Sequence, residues 1–444
     1  MDKKIFSVLL VSLIARIFYF FHSHPIWWDA AVYLSMGKYI FSVGQLGLWE
    51  PIRPLLWSTI LGYGWFIGLN PQIWGYIITT FFSLGIIYLT YQIAKNYFNQ
   101  RVALYSAILI SFTWVFFFFN FRLYSEIPSV FFALLAFYSY QKKDLFLTGI
   151  MAGLAFLTKF PQGIILVIFS LILLKSVKKF SKLILGFILI ILPYLAFNYY
   201  LYGSPIENLL FASEVLKFAG IWIFQQPWHY YFTTLLYQNI LFILAIPGIY
   251  FAFKKKRYEL ILLFILFLIY FIQMPHKEIR FTLIFLPYLA ILTALAYEKI
   301  IKKLPAILII ITIIFFAMNF QMDYYPINEE FHQFPYGEGE IIITNPLTAY
   351  YTPSETTLLY YAWFDYESAK TWLIYIQENN PEYVSIDSCE GGFLCNPNEP
   401  LCEEAKQEII NYLEENYNKE YYKKIGVCEY SIYSYSKSLQ SLKS

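Results

Sequence analysis

Long apolar stretches separated by short polar ones dominate the chain. Runs able to cross about 30 Å of hydrocarbon begin near Lys4, Gln72, Val102, Ile127, Leu145, Gly163, Leu183, Tyr230, Tyr258, Thr282 and Leu304. They predict roughly eleven transmembrane helices. The stretch Leu55 to Leu69 is also apolar, but Gly62, Gly64 and Gly68 interrupt it. Basic residues decide its status, because they collect in cytoplasmic loops. The groups at Lys3 and Lys4, Lys95 and Arg101, Lys142 and Lys143, Lys175 to Lys182, Lys254 to Arg257, and Lys299, Lys302 and Lys303 fall in alternate loops only if Leu55 to Leu69 does not cross. That stretch therefore reads as an amphipathic or re-entrant piece of a first external loop over residues 23–71, with the N-terminus cytoplasmic and the C-terminus outside.

The pattern changes near Tyr324. Glu340 to Thr344 and Glu382 to Asp387 read as short strands, and Ser368 to Glu378 and Glu403 to Glu415 have helical spacing. Residues 324–444 are thus expected to form a small extracytoplasmic α/β domain of about 120 residues, an ordinary domain size. Residues 1–323 form the helical membrane domain, and Glu329 to Gly339 is the nearest thing to a hinge. All four cysteines, Cys389, Cys395, Cys402 and Cys428, lie in the tail. An even number confined to an external domain favours one or two disulfides of undetermined pairing over a zinc site, since the spacings are not those of structural zinc and no histidine is near.

Composition sharpens the class. Of the 444 residues 59% are hydrophobic and only 14% charged, well below a soluble domain, so the chain is a polytopic membrane protein. A net charge of +2 gives no ground for a nucleic-acid partner. No small-residue cleavage site follows Ile5 to Phe21, which is read as a retained span.

With this orientation Asp29, Glu50, Arg53, Arg122, Glu126, Lys159, His229 and the run His276, Lys277, Glu278, Ile279, Arg280 all fall on the external side. Charges are costly in hydrocarbon, so the last run belongs at a membrane surface. Lysine and arginine alone would anchor a loop to lipid head groups. His276 and Glu278 beside Lys277 and Arg280 suit a seat for an anionic head group, with the cations on phosphate and Glu278 orienting them. Asp29 is placed to take a proton from an acceptor hydroxyl, or to cap a helix from Ala30 to Phe41. Glu50 and Arg53 bind sugar or phosphate, or pair with each other. Arg122 and Glu126, four apart, make an ion pair on one helix face or line a site. Lys159 binds phosphate or snorkels to head groups. Trp27, Trp28, Trp49 and Trp57 are interfacial or stack on a sugar. The loop from Tyr202 to His229, with Trp222, is a lid or an interfacial helix.

The run HKEIRFTLIFLPYLAIL resembles the signature of the family 22 glycosyltransferases, in which a His-Lys-Glu-x-Arg-Phe element opens a late transmembrane helix. WEPIRPLLW is similar to that family's Trp-Glu and Pro-Ile-Arg elements without their usual spacer. RLYSEIPS stands where its second-loop arginine motif stands, and Asp29 where its first-loop acid does, although Ala30 replaces the usual second acid. The tail looks like that of protein O-mannosyltransferase and aminoarabinose-transferase relatives. The resemblance implies an α-helical polytopic membrane protein of the C-type glycosyltransferase fold, with a polyprenyl (dolichyl) phosphate sugar as donor and membrane lipids around it.

The expected reaction moves a hexose, mannose by the resemblance, to a glycolipid or glycan acceptor on the external face of the cell membrane, with inversion. Asp29 is the expected base, with Glu50 or Glu126 in support, and Arg53, Arg122, Lys159, His276, Lys277, Glu278 and Arg280 hold the substrates. One phosphate is within reach of lysine and arginine, and no Asp-x-Asp motif occurs, so no metal or other cofactor is expected. The same absence argues against an oligosaccharyltransferase. A lipid-linked-sugar flippase, a transferase acting directly on protein, and a non-catalytic scaffold are the competing readings. A flippase should carry ionisable groups near mid-membrane, where only Arg16 lies well inside a run.

Overall fold

The computed structural model describes residues 2–22, 24–219, 224–301, 304–320, 329–359, 366–388, 395 and 399–435. Trp222, Lys302, Lys303, the composition break at Tyr324, and Cys389 lie outside the described residues. Two compact units emerge: one comprises residues 1–24, 52–57 and 75–324, the other 25–51, 58–74 and 325–444.

The helices run in the order α1 (Lys3–Phe20), α2 (Trp28–Phe41), α3 (Leu55–Phe66), α4 (Pro71–Tyr97), α5 (Gln100–Ser111), α6 (Trp114–Phe118), α7 (Glu126–Gln141), α8 (Leu145–Thr158), α9 (Gly163–Leu173), α10 (Val177–Tyr202), α11 (Glu207–Ala219), α12 (Tyr230–Gln238), α13 (Ala245–Lys254), α14 (Tyr258–Gln273), α15 (Thr282–Ile300) and α16 (Pro305–Asn319). Every one of the eleven apolar runs carries helix. Fewer are long enough to cross alone: among the described residues three helices meet the length and apolarity of a span, or four if α5 and the bent segment after it count as one. Five others are apolar but only 10–17 residues long. The short 3-10 turn Ile240–Leu244 divides the run from Tyr230, which the hydrophobic pattern reads as continuous.

Within the first unit α15 is central, buried at every position from Thr282 to Tyr297. By contrast α10 exposes Leu185, Ile188, Leu189 and Leu192, as a helix facing lipid would. It crosses α8 closely, because a Cβ on Gly149 would lie 2.0 Å from the Leu183 carbonyl oxygen and one on Gly186 2.1 Å from that of Phe146. Small residues permit such backbone approach, and packing then replaces the hydrophobic drive that lipid does not supply. Arg16, the one cation deep in a run, is wholly buried; it donates to Asn120 Oδ1 at 3.1 Å and to Ser12, with Phe116 and Phe117 each 5.2 Å from its guanidinium carbon.

In the second unit α17 (Glu329–His332), β1 (Ile341–Ile343), α18 (Pro346–Tyr351), β2 (Thr356–Leu358), α19 (Tyr366–Asn379), β3 (Tyr383–Asp387), α20 (Pro400–Asn416), β4 (Tyr417–Ile425) and β5 (Cys428–Tyr435) follow in order. The sheet order is β2-β1-β3-β5-β4, parallel across β2, β1 and β3 and antiparallel beyond. Alternate residues of β1 and β3 meet the apolar stripes of α19 and α20 in a core of Ile342, Val384, Ile386, Leu373, Ile376, Ile409 and Leu413. β1, β3, α19 and α20 coincide with the segments expected from periodicity; β2, β4 and β5 do not appear in that expectation. Cys395 and Cys402 form a disulfide with Cα atoms 5.7 Å apart, and Cys428 is disulfide-bonded too.

α2 and α3 from Ser58 onward belong to this same unit. Gly37 of α2 faces Gly62 of α3, where a Cβ would lie 2.7 Å from the Gly62 backbone, so the two helices touch through their main chains. Lys38 donates to the Tyr350 carbonyl of α18. Gly47 pairs with the outer edge of β2: its N–H donates to Ser354 O at 3.1 Å and its carbonyl accepts from Thr356 N at 2.8 Å.

Candidate functional site

The site of the first unit is built on the turn between α14 and α15. The chain leaves α14 at Met274 in extended conformation, and Lys277 N donates to Phe224 O at 3.0 Å while His276 and Gln225 form an isolated antiparallel bridge. The descending limb of the Tyr202 to His229 loop therefore pairs with the charged turn. Backbone at Glu278 is extended (φ −129°, ψ 150°), and in extended chain alternate side chains share a side. This accounts for the contact of residues 276 and 278, where His276 Nε2 donates to Glu278 Oε1 at 2.6 Å; the 3-10 turn Ile279–Phe281 that follows carries Arg280, which donates to the same oxygen. Lys277 points elsewhere and donates to Met274 O at 2.7 Å; burial pushes its pKa down.

Two further elements complete the cluster. Glu126, the first residue of α7, is 1% exposed, and its Oε1 accepts from Lys159 Nζ at 3.0 Å and lies 3.7 Å from Arg280 Nε. Its Oε2 is buried with no hydrogen-bond partner among the described residues. Arg280 packs over the Tyr124 ring at 4.5 Å, and Lys159 lies 5.3 Å from the Phe281 ring. Behind them Gln162 Nε2 donates to Ser129 Oγ at 3.0 Å, which donates to the Glu126 carbonyl at 2.7 Å. Tyr124 and Gln162 escaped the sequence reading. Their positions beside Glu126 and Lys159 in RLYSEIPS and LTKFPQ were the available signal.

Three bland alternatives from the sequence are corrected here. Arg122 and Glu126 do not share a helix face, because a short 3-10 turn ends at Arg122, Leu123 takes a left-handed conformation (φ 55°), and α7 begins only at Glu126. Lys159 turns inward to a carboxylate instead of snorkelling outward. Asp29 is not the cap of α2; Trp27 is, and Asp29 sits in the first turn, where its charge favours the positive end of the helix.

The remaining candidates lie apart in the chain. Arg122 is buried, its guanidinium carbon 4.2 Å from the Phe118 ring. Burial first, and then the Arg122 charge, push the His24 imidazole down to about 4. Arg53 is half-buried in the short bend before α3. Asp29 and Glu50 belong to the second unit and are both buried there. Glu50 lines a cavity with Tyr39 and Trp49. Exposed Trp228 stacks edge-on against His229, 5.6 Å between ring centroids.

Lys159 and Arg280 balance Glu126 and Glu278, and Lys277 in the same turn as Arg280 adds a third cation, a surplus over the two carboxylates. Each carboxylate is engaged with a cation, so the acids fix the direction of the cationic groups and the surplus favours an anion. Among the described residues no three His, Cys, Asp or Glu side chains gather closely enough to hold a metal ion.

Residues 53–200 match the family model described as dolichyl-phosphate-mannose-protein mannosyltransferase. The matched stretch holds Arg53, Arg122, Glu126 and Lys159 and ends before the charged turn. No curated protein matches the chain in sequence. Among solved structures, ArnT from Cupriavidus metallidurans in the apo state is 14% identical with a TM-score of 0.52, over 66% of this chain and 59% of that one. The same protein bound to undecaprenyl phosphate gives 0.53 at 14% identity, over 66% of this chain and 60% of that one. The archaeal oligosaccharyltransferase AglB from Archaeoglobus fulgidus, in complex with an inhibitory peptide and a dolichol-phosphate, is 13% identical with a TM-score of 0.59, over 98% of this chain and 74% of that one. The chain spans about three fifths of the length of ArnT. These likenesses establish the fold: a membrane-embedded helical domain of the C-type glycosyltransferase fold with a small C-terminal sheet.

Proposed function

We propose that the protein is a membrane glycosyltransferase that moves a hexose, mannose, from a polyprenyl-phosphate carrier to a glycolipid or glycan acceptor on the external face. The observation that carries this is the largely buried cluster of Glu126, Lys159, His276, Glu278 and Arg280, in which each acid is paired with a cation and beside which Lys277 adds a third cation against the two carboxylates. Support for a lipid-phosphate donor comes from ArnT and AglB, whose structures were determined with undecaprenyl phosphate and dolichol-phosphate. The likeness of His276 to Phe281 to the family 22 signature supports that branch of the fold. Each apolar run makes one span, the N-terminus is cytoplasmic, and the boundary between membrane domain and external tail falls at 323/324.

In this mechanism Lys159 and Arg280, aimed by Glu126 and Glu278, hold the donor phosphate, with Lys277, Arg122 and Arg53 as further cationic contacts. His276 donates to the phosphate or the sugar. Asp29 takes the proton of the acceptor hydroxyl as its oxygen bonds to the anomeric carbon. The bond from that carbon to phosphate breaks with its electron pair, releasing polyprenyl phosphate, and the single displacement inverts the centre. Glu50 orients the acceptor.

The description of the model matched over residues 53–200 favours a second reading, direct transfer to protein. Purified protein incubated with radiolabelled polyprenyl-phosphate mannose, native lipid extract and a serine/threonine-rich peptide separates the two. Label in an extracted lipid or free glycan supports the first, and label in the peptide the second. Donor that is bound and carried across vesicles without loss of its sugar would overturn both in favour of a flippase.

A further inference from the structure

The second unit contains a cavity of about 220 Å³ whose walls come from three distant parts of the chain. Tyr39 at the end of α2 and Trp49 with Glu50 form one wall, Glu355 and Thr357 of the β2 edge a second, and Trp372 of α19 the third. The walls are held in place. Gly47 fastens the first loop to the β2 edge, and only glycine fits there: its φ is +82° and a Cβ would lie 2.2 Å from the Ser35 carbonyl oxygen. Tyr39 and Trp49 pack at 5.6 Å between ring centroids. On the other side Trp372 packs on Tyr375 at 5.4 Å, and Tyr375 and Thr357 both donate to Glu340 Oε1, at 2.5 and 3.2 Å.

This lining has a definite chemistry. Three aromatic rings offer flat apolar faces, and two carboxylates and the Thr357 hydroxyl offer hydrogen-bond acceptors around them. A pyranose ring presents the complement, an apolar C–H face rimmed by hydroxyl donors. Among the described residues no lysine or arginine lines the cavity, so the Glu355 carboxylate at its rim repels a phosphate or a uronic acid. The volume falls below the usual range for larger organic ligands and suits one sugar ring.

We infer that this cavity is a subsite for an uncharged sugar ring of the acceptor glycan, which rests on the glycosyltransferase function proposed above. It shares no lining residue with the cationic cluster that takes the donor, and it selects acceptors by what they lack, a negative charge on the bound ring.

Calorimetric titration of the full-length protein in phosphatidylcholine nanodiscs tests this with mannotetraose and, separately, an oligogalacturonate of equal length. Mannotetraose is expected to bind and the acidic oligomer to bind at least tenfold more weakly. Glu355→Gln and Trp372→Ala each raise the Kd for mannotetraose tenfold or more and leave affinity for polyprenyl phosphate unchanged, and Trp372→Phe restores most of the loss. Glu355 is exposed at the rim, so its variant decides the matter where Trp372→Ala fails to fold. Wild-type affinity in the variants, equal binding of the acidic oligomer, or binding of calcium in place of any saccharide overturns the inference. Sugar transfer intact without saccharide binding sinks the subsite alone. Saccharide binding intact without any transfer sinks the enzyme and leaves the subsite standing.

Discussion

Lys159 Nζ lies 3.0 Å from Glu126 Oε1, so the residue that ends α8 is tied to the residue that begins α7. Arg280 approaches the same oxygen from the turn before α15. One carboxylate thereby sets the position of two cations from separate hairpins.

Removing that carboxylate strands Lys159 and leaves Arg280 with Glu278 alone. Glu126→Ala is expected to destabilise the membrane unit by about 3–5 kcal/mol, the usual cost of breaking a buried pair from one side. Thermal unfolding in detergent measures it. Adding Lys159→Ala should recover part of the loss, because the two residues act on one interaction. Additive losses would mean that the pair is not coupled.

Binding and chemistry should separate by residue. Arg280→Ala is expected to weaken polyprenyl-phosphate binding by about 1.5–3 kcal/mol, the value of a hydrogen bond to a charged group. Asp29→Asn should keep donor affinity and lower the transfer rate by roughly 10²–10⁴-fold, as loss of a general base does. Unchanged transfer in Asp29→Asn removes that residue from the reaction.

Acid should loosen the tail through His332. Its Nδ1 lies 2.9 Å from Thr348 Oγ1, and burial pushes its pKa down to about 3 from an ordinary 6.5. The unfolded chain therefore binds the proton more readily than the folded one. His332 contributes full stability above about pH 6.5, and this falls by up to about 1.4 kcal/mol per pH unit as pH drops toward 3. Urea midpoints at pH 4.5 and 7.0 should differ less in His332→Gln than in the wild type. An equal difference in both would assign the acid sensitivity elsewhere.

Gly47→Ala should release the first loop from β2. Its φ of +82° disfavours any side chain, and the new methyl would meet the Ser35 carbonyl at 2.2 Å. Strain of about 1–3 kcal/mol is expected. Limited proteolysis should then cut within residues 42–51 faster than in the wild type. Unaltered cleavage would show that the Gly47 link does not hold the loop.

What the sequence discloses here follows from how local each cause is. Every apolar run carries helix, and β1, β3, α19 and α20 stand where their periodicities put them, because burial of one face is written into neighbouring residues. The breaks inside the runs are less visible. The halt after Ser111 and the left-handed turn at Leu123 contain no proline or glycine, and only packing against the rest of the bundle makes them worthwhile. The run of charges from His276 to Arg280 is legible as a charged turn, but its partners Glu126 and Lys159 are more than a hundred positions away. The same distance hid the cavity: nothing in Trp49 or Trp372 alone names the other as a neighbour. β2 is three residues long and β4 mostly solvent-exposed, so neither carries a strong apolar signature.

The hydroxyl of Thr356 donates to the Gly47 carbonyl at 3.0 Å across 309 positions of sequence. During synthesis the first loop leaves the ribosome long before this partner exists. Contacts of such separation carry a large loop-closure cost and form late. The loop that bears Asp29 and Glu50 thus acquires its final edge only when translation has passed β2, so a chain interrupted upstream of that strand would leave this loop without the partner that fastens it.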